Sequence, residues 1–363
     1  MTTTELRTLA RGLTVNPVGV GCWAIGGPDT NLGLPMGWST ADDSESLRGL
    51  ERALALGATL FDTADVYGHG RSERLIGRAI RAVPRDQVVL SSKVGYLTEG
   101  AEHPYEPAHM RRRLESTLAN LGVDHVDIYF FHNNSFGDDD RWLDGAIEQM
   151  RAFQREGLVR AVGMRGPHRF VLDRLTVPKE QREDKQARFL DLFQRIRPDY
   201  IATRYNALTP TPPAGTESVF DFAERHGASV LINKPLAQGL LVGKYTPSAP
   251  PSFGSGDHRL RKAWFASAAI RVIDEGLRPL RERFGASTGD LARVALRFCL
   301  QRASNAAVLV GFTTEAQAEQ NYQSLGEPLS DDDITFVRQV TGGVQKQLDS
   351  LGEVFLDELE APR

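Results

Sequence analysis

Asp62 and Tyr67, five residues apart behind the apolar run ATLF, Lys93 behind VVLSS and His132 behind VDIYFF place four chemically useful groups in the first 132 residues. They are a carboxylate, a phenol, an ammonium and an imidazole. Gathered at one place, they make a proton donor that works near neutral pH. A free phenol, with a pKa of about 10, is a poor acid at pH 7, but a neighbouring ammonium stabilises the phenolate and lowers that value. Lys93 is therefore the expected lever on Tyr67. Asp62 would hold the ammonium and keep it charged despite burial, and His132 would hydrogen-bond the reacting oxygen. Taken singly, each residue has a plainer reading: a loop-capping Asp, its Lys partner, a structural imidazole and a half-buried aromatic. Together they suit a hydride addition to a carbonyl, which leaves an alkoxide that must be protonated.

The elements that must position these groups follow from hydrophobic patterning. Apolar runs of four to six residues, each followed by a helix-like segment, read as buried parallel strands. In parallel α/β folds, function gathers at the C-terminal ends of the strands. Strands are expected at 17–20, 58–61, 87–92, 126–131, 159–163, 199–203, 229–232 and 306–310. Amphipathic segments near 43–56, 71–82, 107–121, 141–155, 185–195, 216–226, 288–302 and 314–325 alternate with them. Ser72-Glu73 opens one of these helices and Pro107 another. Eight strands with eight helices predict a closed α/β barrel. An N-terminal hairpin at Thr8 to Val15 precedes it, and a charge-rich helical extension at 330–363 follows it. No shift in composition marks a boundary, so one domain over 1–363 is expected, with the barrel proper at about 16–326. The Pro/Gly/Ser-rich stretches 209–218 and 246–257 read as long loops, the second placed to cover a ligand.

Composition narrows the function. With 363 residues and 41% hydrophobic content the chain buries a substantial core. Its 43 basic residues nearly balance 47 acidic ones without long runs of one sign, so neither nucleic acid nor a membrane surface is an expected partner. Asp138 to Asp140 read as a solvated loop. Cys22 and Cys299 are too few for a disulfide framework and lack metal-ligand spacing, which fits a reducing cytoplasm. Eight His residues contain no HxH or HxxxH pair, so no metal is expected. No stretch approaches the ~20 apolar residues of a membrane span.

GATLFDTADVYGHGRSERLIGRAI, then LSSKVG, then LGVDHVDIYFFH together resemble the aldo-keto reductases in order, spacing and flanking residues. The resemblance runs from LRTLARGLTVNPVGVGCW to VGFTTEAQAEQN. It implies an eight-stranded (β/α) TIM barrel and an NAD(P)H-dependent reduction of an aldehyde or ketone, with a sugar-like substrate among the options. It assigns Tyr67 as general acid/base, Lys93 and Asp62 as its tuning pair, and His132 as the guide of the carbonyl. For the cofactor it implies Gly21, Cys22 and Trp23 after the first strand, together with Asp62. KPLAQGLLVGKY resembles the segment lying along the pyrophosphate, which brings in Lys234, Pro235, Leu236, Gly239 and Leu240. The last motif brings in Gly311, Thr313, Thr314, Gln317, Gln320 and Asn321, the last two facing the adenine.

Several positions depart from the family's usual pattern. Met164 and Arg165 stand where Ser-Asn commonly holds the nicotinamide amide, Ala202 and Tyr205 fall at the Gln position and just beyond it, and Asn233 replaces a stacking aromatic. The last motif lacks the Arg or Lys that usually pairs the 2′-phosphate. NADPH is the expected cofactor from the family's habit, with NADH open. Trp23, Tyr67, His132 and Phe136 are expected to line the substrate pocket, with Asn133 to Asp140 at its mouth. The partner is a small-molecule carbonyl compound, and the oligomeric state is open. Two other functions fit less well: a cofactor-binding regulatory subunit with little turnover, and a metal-dependent barrel hydrolase.

Overall fold

A computed structural model describes residues 6–31, 33–167, 185–210, 215 and 217–351. Two short strands, β1 (Arg7–Thr8) and β2 (Thr14–Val15), pair antiparallel. The chain continues through β3 (Val18–Gly21), the pair β4 (Thr30–Asn31) and β5 (Leu34–Pro35), α1 (Asp43–Ala55), β6 (Leu60–Asp62) and α2 (Arg71–Ala79). Next come β7 (Val89–Val94), α3 (Pro107–Leu121), β8 (Val126–Phe131), α4 (Leu143–Arg155), β9 (Val159–Arg165), α5 (Lys185–Ile196) and β10 (Tyr200–Arg204). The last part comprises α6 (Val219–Arg225), β11 (Ser229–Asn233), α7 (Ser267–Gly276), α8 (Arg278–Phe284), α9 (Thr288–Leu300), β12 (Ala306–Gly311), α10 (Glu315–Gln323) and α11 (Asp331–Ser350).

Eight parallel strands close into a barrel in the order β3-β6-β7-β8-β9-β10-β11-β12, as the patterning predicts. Period-two alternation divides its strands between two cores. Leu60, Ile128, Phe130, Ala161, Tyr200, Ala202, Leu231 and Leu309 fill the barrel interior. The alternate residues, such as Phe61, Tyr129, Val162 and Ile201, face the helices. The N-terminal hairpin plugs the bottom: Leu9, Leu13 and Val15 join the interior cluster, and the Tyr200 hydroxyl donates to the Ala10 carbonyl at 2.7 Å. Arg7 clamps this plug to the far wall through the carbonyls of Leu300 and Ala306 at 2.7 and 2.6 Å. With the bottom filled, the opposite end is the open one.

Three differences from the patterning stand out. The strand expected at 87–92 runs instead from Val89 to Val94, because Arg85–Gln87 forms a short 3-10 turn whose start is fixed by Pro84. Lys93 thus lies inside β7 rather than beyond it. The helix expected at 71–82 ends at Ala79 and finishes as a 3-10 turn, Ile80–Ala82. Residues 258–284, where no element is expected, carry α7 and α8, so the connection from β11 to β12 holds three helices. The extension after the barrel is helical over Asp331–Ser350, opened by a Ser330/Asp333 capping box, and residues beyond 351 fall outside the described ones. No helix among the described residues is long and apolar enough to cross a membrane.

The upper part of the interior depends on one missing side chain. A β-carbon at Gly163 on β9 would collide with the fully buried Phe130 ring, which occupies that space and floors the open end. Gly163→Ala should therefore cost about 1–3 kcal/mol through overpacking, read as a lower midpoint in denaturant unfolding. An unchanged midpoint would show that Phe130 has another place to go.

Candidate active site

Asp62 ends β6 and Lys93 lies in the neighbouring β7, with Asp62 in register with Ser91. Both side chains point into the barrel. The Lys93 ammonium donates to Asp62 Oδ2 at 2.7 Å and to the Thr63 carbonyl. Ser91 Oγ donates to Asp62 Oδ1 at 2.8 Å, so both carboxylate oxygens are satisfied. Lys93 and Asp62 are only 4% and 5% exposed, and the pair is one buried unit.

Tyr67 arrives from the turn after β6. Gly68 and Gly70 adopt positive φ there (62° and 82°), and a side chain at Gly68 would strike the Gly26 carbonyl, so two loops meet backbone to backbone. The turn is tied down by Thr63 Oγ1 donating to Ser72 Oγ and Ser72 Oγ donating to the Cys22 carbonyl, both at 2.8 Å. Below it, the buried Glu73 carboxylate accepts from Ser92 at 2.8 Å, Thr117 at 2.8 Å and Asn120 at 2.9 Å, joining α2, β7 and α3. His132 follows the last residue of β8, its backbone N–H donating to the Val94 carbonyl at 2.9 Å.

These supports bring the four groups together. Lys93 Nζ lies 5.1 Å from the centroid of the Tyr67 ring, and the Tyr67 and His132 rings meet edge to face at 5.7 Å. All four line a cavity of about 740 Å³ at the C-terminal end of the barrel. Trp23 stacks near Tyr67 at 6.1 Å, and Tyr96 packs edge-on to His132 at 4.7 Å.

The electrostatics differ from expectation in one respect. Burial raises the Tyr67 phenol well above its ordinary range, and the Asp62 carboxylate adds to this. The Lys93 ammonium, bound to Asp62 at 2.7 Å, does not outweigh them. Burial, then Lys93 and Arg165, hold the His132 imidazole well below its ordinary range. At neutral pH the site thus presents a protonated phenol beside a neutral imidazole.

The cavity reaches far beyond these four residues. Gly21, Trp23, Arg165, Asn233, Lys234, Pro235, Leu236, Gly239, Gly311, Thr313, Gln317, Gln320 and Asn321 all line it. The structure does not bring six other expected residues there. Cys22 and Met164 are fully buried in the outer core, and Tyr205 packs on Phe220 and Phe298, since each lies on the outward side of the strand alternation. Leu240 is buried in that same core. Thr314 caps α10, accepting from the Gln317 N–H at 3.3 Å. Phe136 is fully buried and stacked on Tyr105 at 4.5 Å, not at a pocket mouth.

Several lining residues were missed: Tyr96, Arg204, Gln238, Lys244, His258, Arg261 and Thr288. Arg204 lies two residues beyond the inward-facing Ala202, so strand alternation alone would have found it. His258 carries no such signal. Six cations line the cavity (Lys93, Arg165, Arg204, Lys234, Lys244 and Arg261) against a single lining carboxylate, Asp62, among the described residues. Past β11 the backbone takes positive φ at Lys234, Ala237, Gln238 and Gly239 (55°, 48°, 58° and 98°), uncommon outside glycine, and the Ala237 and Gly239 N–H groups donate to the Lys234 and Leu236 carbonyls at 2.9 and 3.0 Å. The buried Gln238 Nε2 there has no hydrogen-bond partner among the described residues.

Comparison with known proteins gives this arrangement a context. A model of the aldo/keto reductase family matches residues 17–341. An NADH-specific methylglyoxal reductase of Escherichia coli (strain K12) is 28% identical over 350 residues, covering 92% of this chain and 97% of its own. An L-galactose dehydrogenase of Arabidopsis thaliana is 27% identical over 335 residues, with 90% of each chain covered. Among solved structures, a glycerol dehydrogenase from Gluconobacter oxydans shares the fold, with a TM-score of 0.69 at 24% identity over 94% of this chain and 95% of its own.

Removing one partner of the buried pair leaves an uncompensated charge. Lys93→Met should lower unfolding free energy by about 3–5 kcal/mol, measured by denaturant titration at pH 7. The double variant Lys93→Met/Asp62→Leu should recover part of that loss. A single variant as stable as the parent would mean the pair is not buried in solution.

Proposed function

The chain belongs to the aldo/keto reductase family, and on that footing we propose that it reduces an aldehyde or ketone to an alcohol with Tyr67 as the proton donor. The observation that carries this reading is the buried Lys93–Asp62 pair opening, with Tyr67 and His132, into one cavity.

Tyr67 keeps its proton through the neutral range, which is the state an acid needs before it acts. As negative charge develops on the carbonyl oxygen, the phenol Oη releases its proton to that oxygen. The Lys93 ammonium, 5.1 Å from the ring centroid, then stabilises the phenolate left behind, and Asp62 keeps the ammonium from drifting toward substrate. His132, neutral and rigidly packed between Tyr67 and Tyr96, supplies an N–H to orient the same oxygen.

A reduced nicotinamide, when bound, supplies the hydride. The residues present suit such a cofactor: the Gln238 Nε2, without a hydrogen-bond partner among the described residues, offers a donor to a pyrophosphate, and Lys234 and Lys244 line the same wall with positive charge. NADPH is the proposed cofactor on the family's habit, with NADH, named for the NADH-specific relative, as the alternative. The substrate is proposed to be a small, oxygen-rich carbonyl compound, in keeping with the methylglyoxal and L-galactose of the relatives' names.

Tyr67→Phe should lower kcat by about 10²-fold or more against a carbonyl panel, with cofactor affinity measured separately by fluorescence titration; an unchanged rate would sink the assignment. Titrating both cofactors should show tighter binding of NADPH, and equal affinities or tighter NADH binding would overturn that preference. The reduction rate should be flat between pH 6.5 and 10.0, the ordinary imidazole and phenol values, because His132 titrates below that window and Tyr67 above it. A decline centred inside the window would contradict the buried state of the phenol.

A further inference from the structure

Two side chains in the cavity wall carry buried polar atoms that the reaction as proposed does not use. His258 opens a short 3-10 turn, His258–Arg261, and its imidazole is 3% exposed and lines the cavity. Neither ring nitrogen has a hydrogen-bond partner among the described residues, and the buried Nε1 of Trp38, which also lines the cavity, has none either. Buried polar atoms are normally satisfied, so three unsatisfied nitrogens in one wall point to a ligand that completes them.

Both side chains are fixed in place by other bonds. They pack edge to face on the Trp23 indole, Trp38 at 6.0 Å and His258 at 4.5 Å. The Trp23 N–H is committed to the Met36 carbonyl at 2.8 Å, so this residue offers ring surface alone. The Arg259 guanidinium lies 3.7 Å from the Trp38 ring centroid and pairs with Asp257 at 2.7 Å, and Asp257 accepts from Ser39 Oγ at 2.7 Å. The backbone N–H groups of His258 and Trp38 donate to the Gly37 and Gly27 carbonyls at 2.9 and 2.7 Å. Trp23 also stacks near Tyr67 at 6.1 Å, so this corner lies one indole away from the proton donor.

The kind of ligand follows from what the three nitrogens can do. Burial first, and then Lys234, Lys262, Arg261 and Arg259, hold the His258 imidazole well below its ordinary range, so the ring is neutral at pH 7. A neutral imidazole presents one N–H and one lone pair, and the Trp38 indole presents one N–H. Oxyanions, ethers and carbonyls only accept, and an ammonium only donates, whereas a hydroxyl does both. We infer that His258 and Trp38, set around the Trp23 indole, form a subsite for the hydroxyl groups of a polyhydroxylated aldehyde or ketone, at the end of its chain away from the reacting carbonyl. The inference rests on the carbonyl-reductase reading and narrows its substrate class. The Trp23 ring supplies an apolar wall for the C–H groups between the two ends.

The test uses the full chain with saturating cofactor and two aldehydes of equal carbon count, erythrose and butanal. In the parent protein, kcat/KM should favour erythrose by about tenfold or more. His258→Phe keeps a ring in the wall but removes both nitrogens. It should reduce that ratio about fivefold or more, as for a lost neutral hydrogen bond, mainly through KM for erythrose. Trp38→Phe removes one donor independently, should reduce the ratio about threefold, and carries the test if the first variant does not fold. His258→Gln, which keeps a donor and an acceptor, should retain more of the ratio than His258→Phe. The intrinsic reactivities of the two aldehydes cancel when variant and parent ratios are compared. A ratio unchanged in both phenylalanine variants, or turnover of butanal without preference for erythrose in the parent, would overturn the subsite alone. A loss of cofactor affinity in His258→Phe as large as its loss of ratio would assign the corner to the cofactor and overturn it as well. No turnover of either aldehyde would bring down the carbonyl-reductase reading and the subsite together.

Discussion

Two opposite charges held together in the dry interior of a parallel barrel govern the upper half of this molecule. Desolvating an ammonium and a carboxylate costs several kcal/mol each, and the cost is offset only if each finds close, well-directed partners. Lys93 has Asp62 and the Thr63 carbonyl, and Asp62 has Lys93 and Ser91. Every one of those partners comes from β6, β7 or the residue just after, so the two strands must keep their register for the pair to exist. Glu73 fastens β7 to the helices behind it, and the Ser72 link secures the turn that delivers Tyr67. Polar groups at depth therefore act as positioning devices even where they touch no substrate.

Much of this was legible in the chain before any coordinates. The runs VVLSS and VDIYFF announce strands because successive apolar residues are buried on both faces of a parallel sheet, and eight such runs leave little choice of architecture. The four chemically useful residues were legible because each sits at a strand end or the turn beyond it. What failed was orientation. Met164 and Tyr205 were placed at the cofactor by position along the chain, but a residue's neighbour in a strand faces the other way, and Arg165 and Arg204 are the ones that reach the cavity. Phe136 was an aromatic near the right place, and its stacking on Tyr105 is a tertiary fact with no short-range signature.

The connection between β11 and β12 was the least legible part for a different reason. Its Pro/Gly/Ser-rich beginning reads as a loop, and its later contacts are long-range: Ser39 Oγ donates to Asp257 at 2.7 Å and Gly37 N–H to the Gly256 carbonyl at 2.9 Å. These bonds strap residues 256–258 to the segment after β3, so the wall holding Trp23, Trp38 and His258 is shared between two stretches more than 200 residues apart in the chain. Neither stretch has a fixed structure implied by its own pattern. The phenol's acidity was misjudged on similar grounds, since the residue types show an ammonium and a carboxylate near a tyrosine but not how completely the ring is buried.

Closure of the strand ring has a consequence for how such a protein can change. In an open sheet an edge strand can slide, and a slide of one residue turns its inner side chains outward. Here β12 returns to β3, so a slide of β7 would have to be accommodated at every joint around the circle. Lys93 and Asp62 are in that sense inherited as a fixed distance, open to replacement but not to adjustment. The strapped segments above the rim carry no such obligation. New substrates can therefore be acquired by rewriting the rim while the proton donor beneath stays where it is.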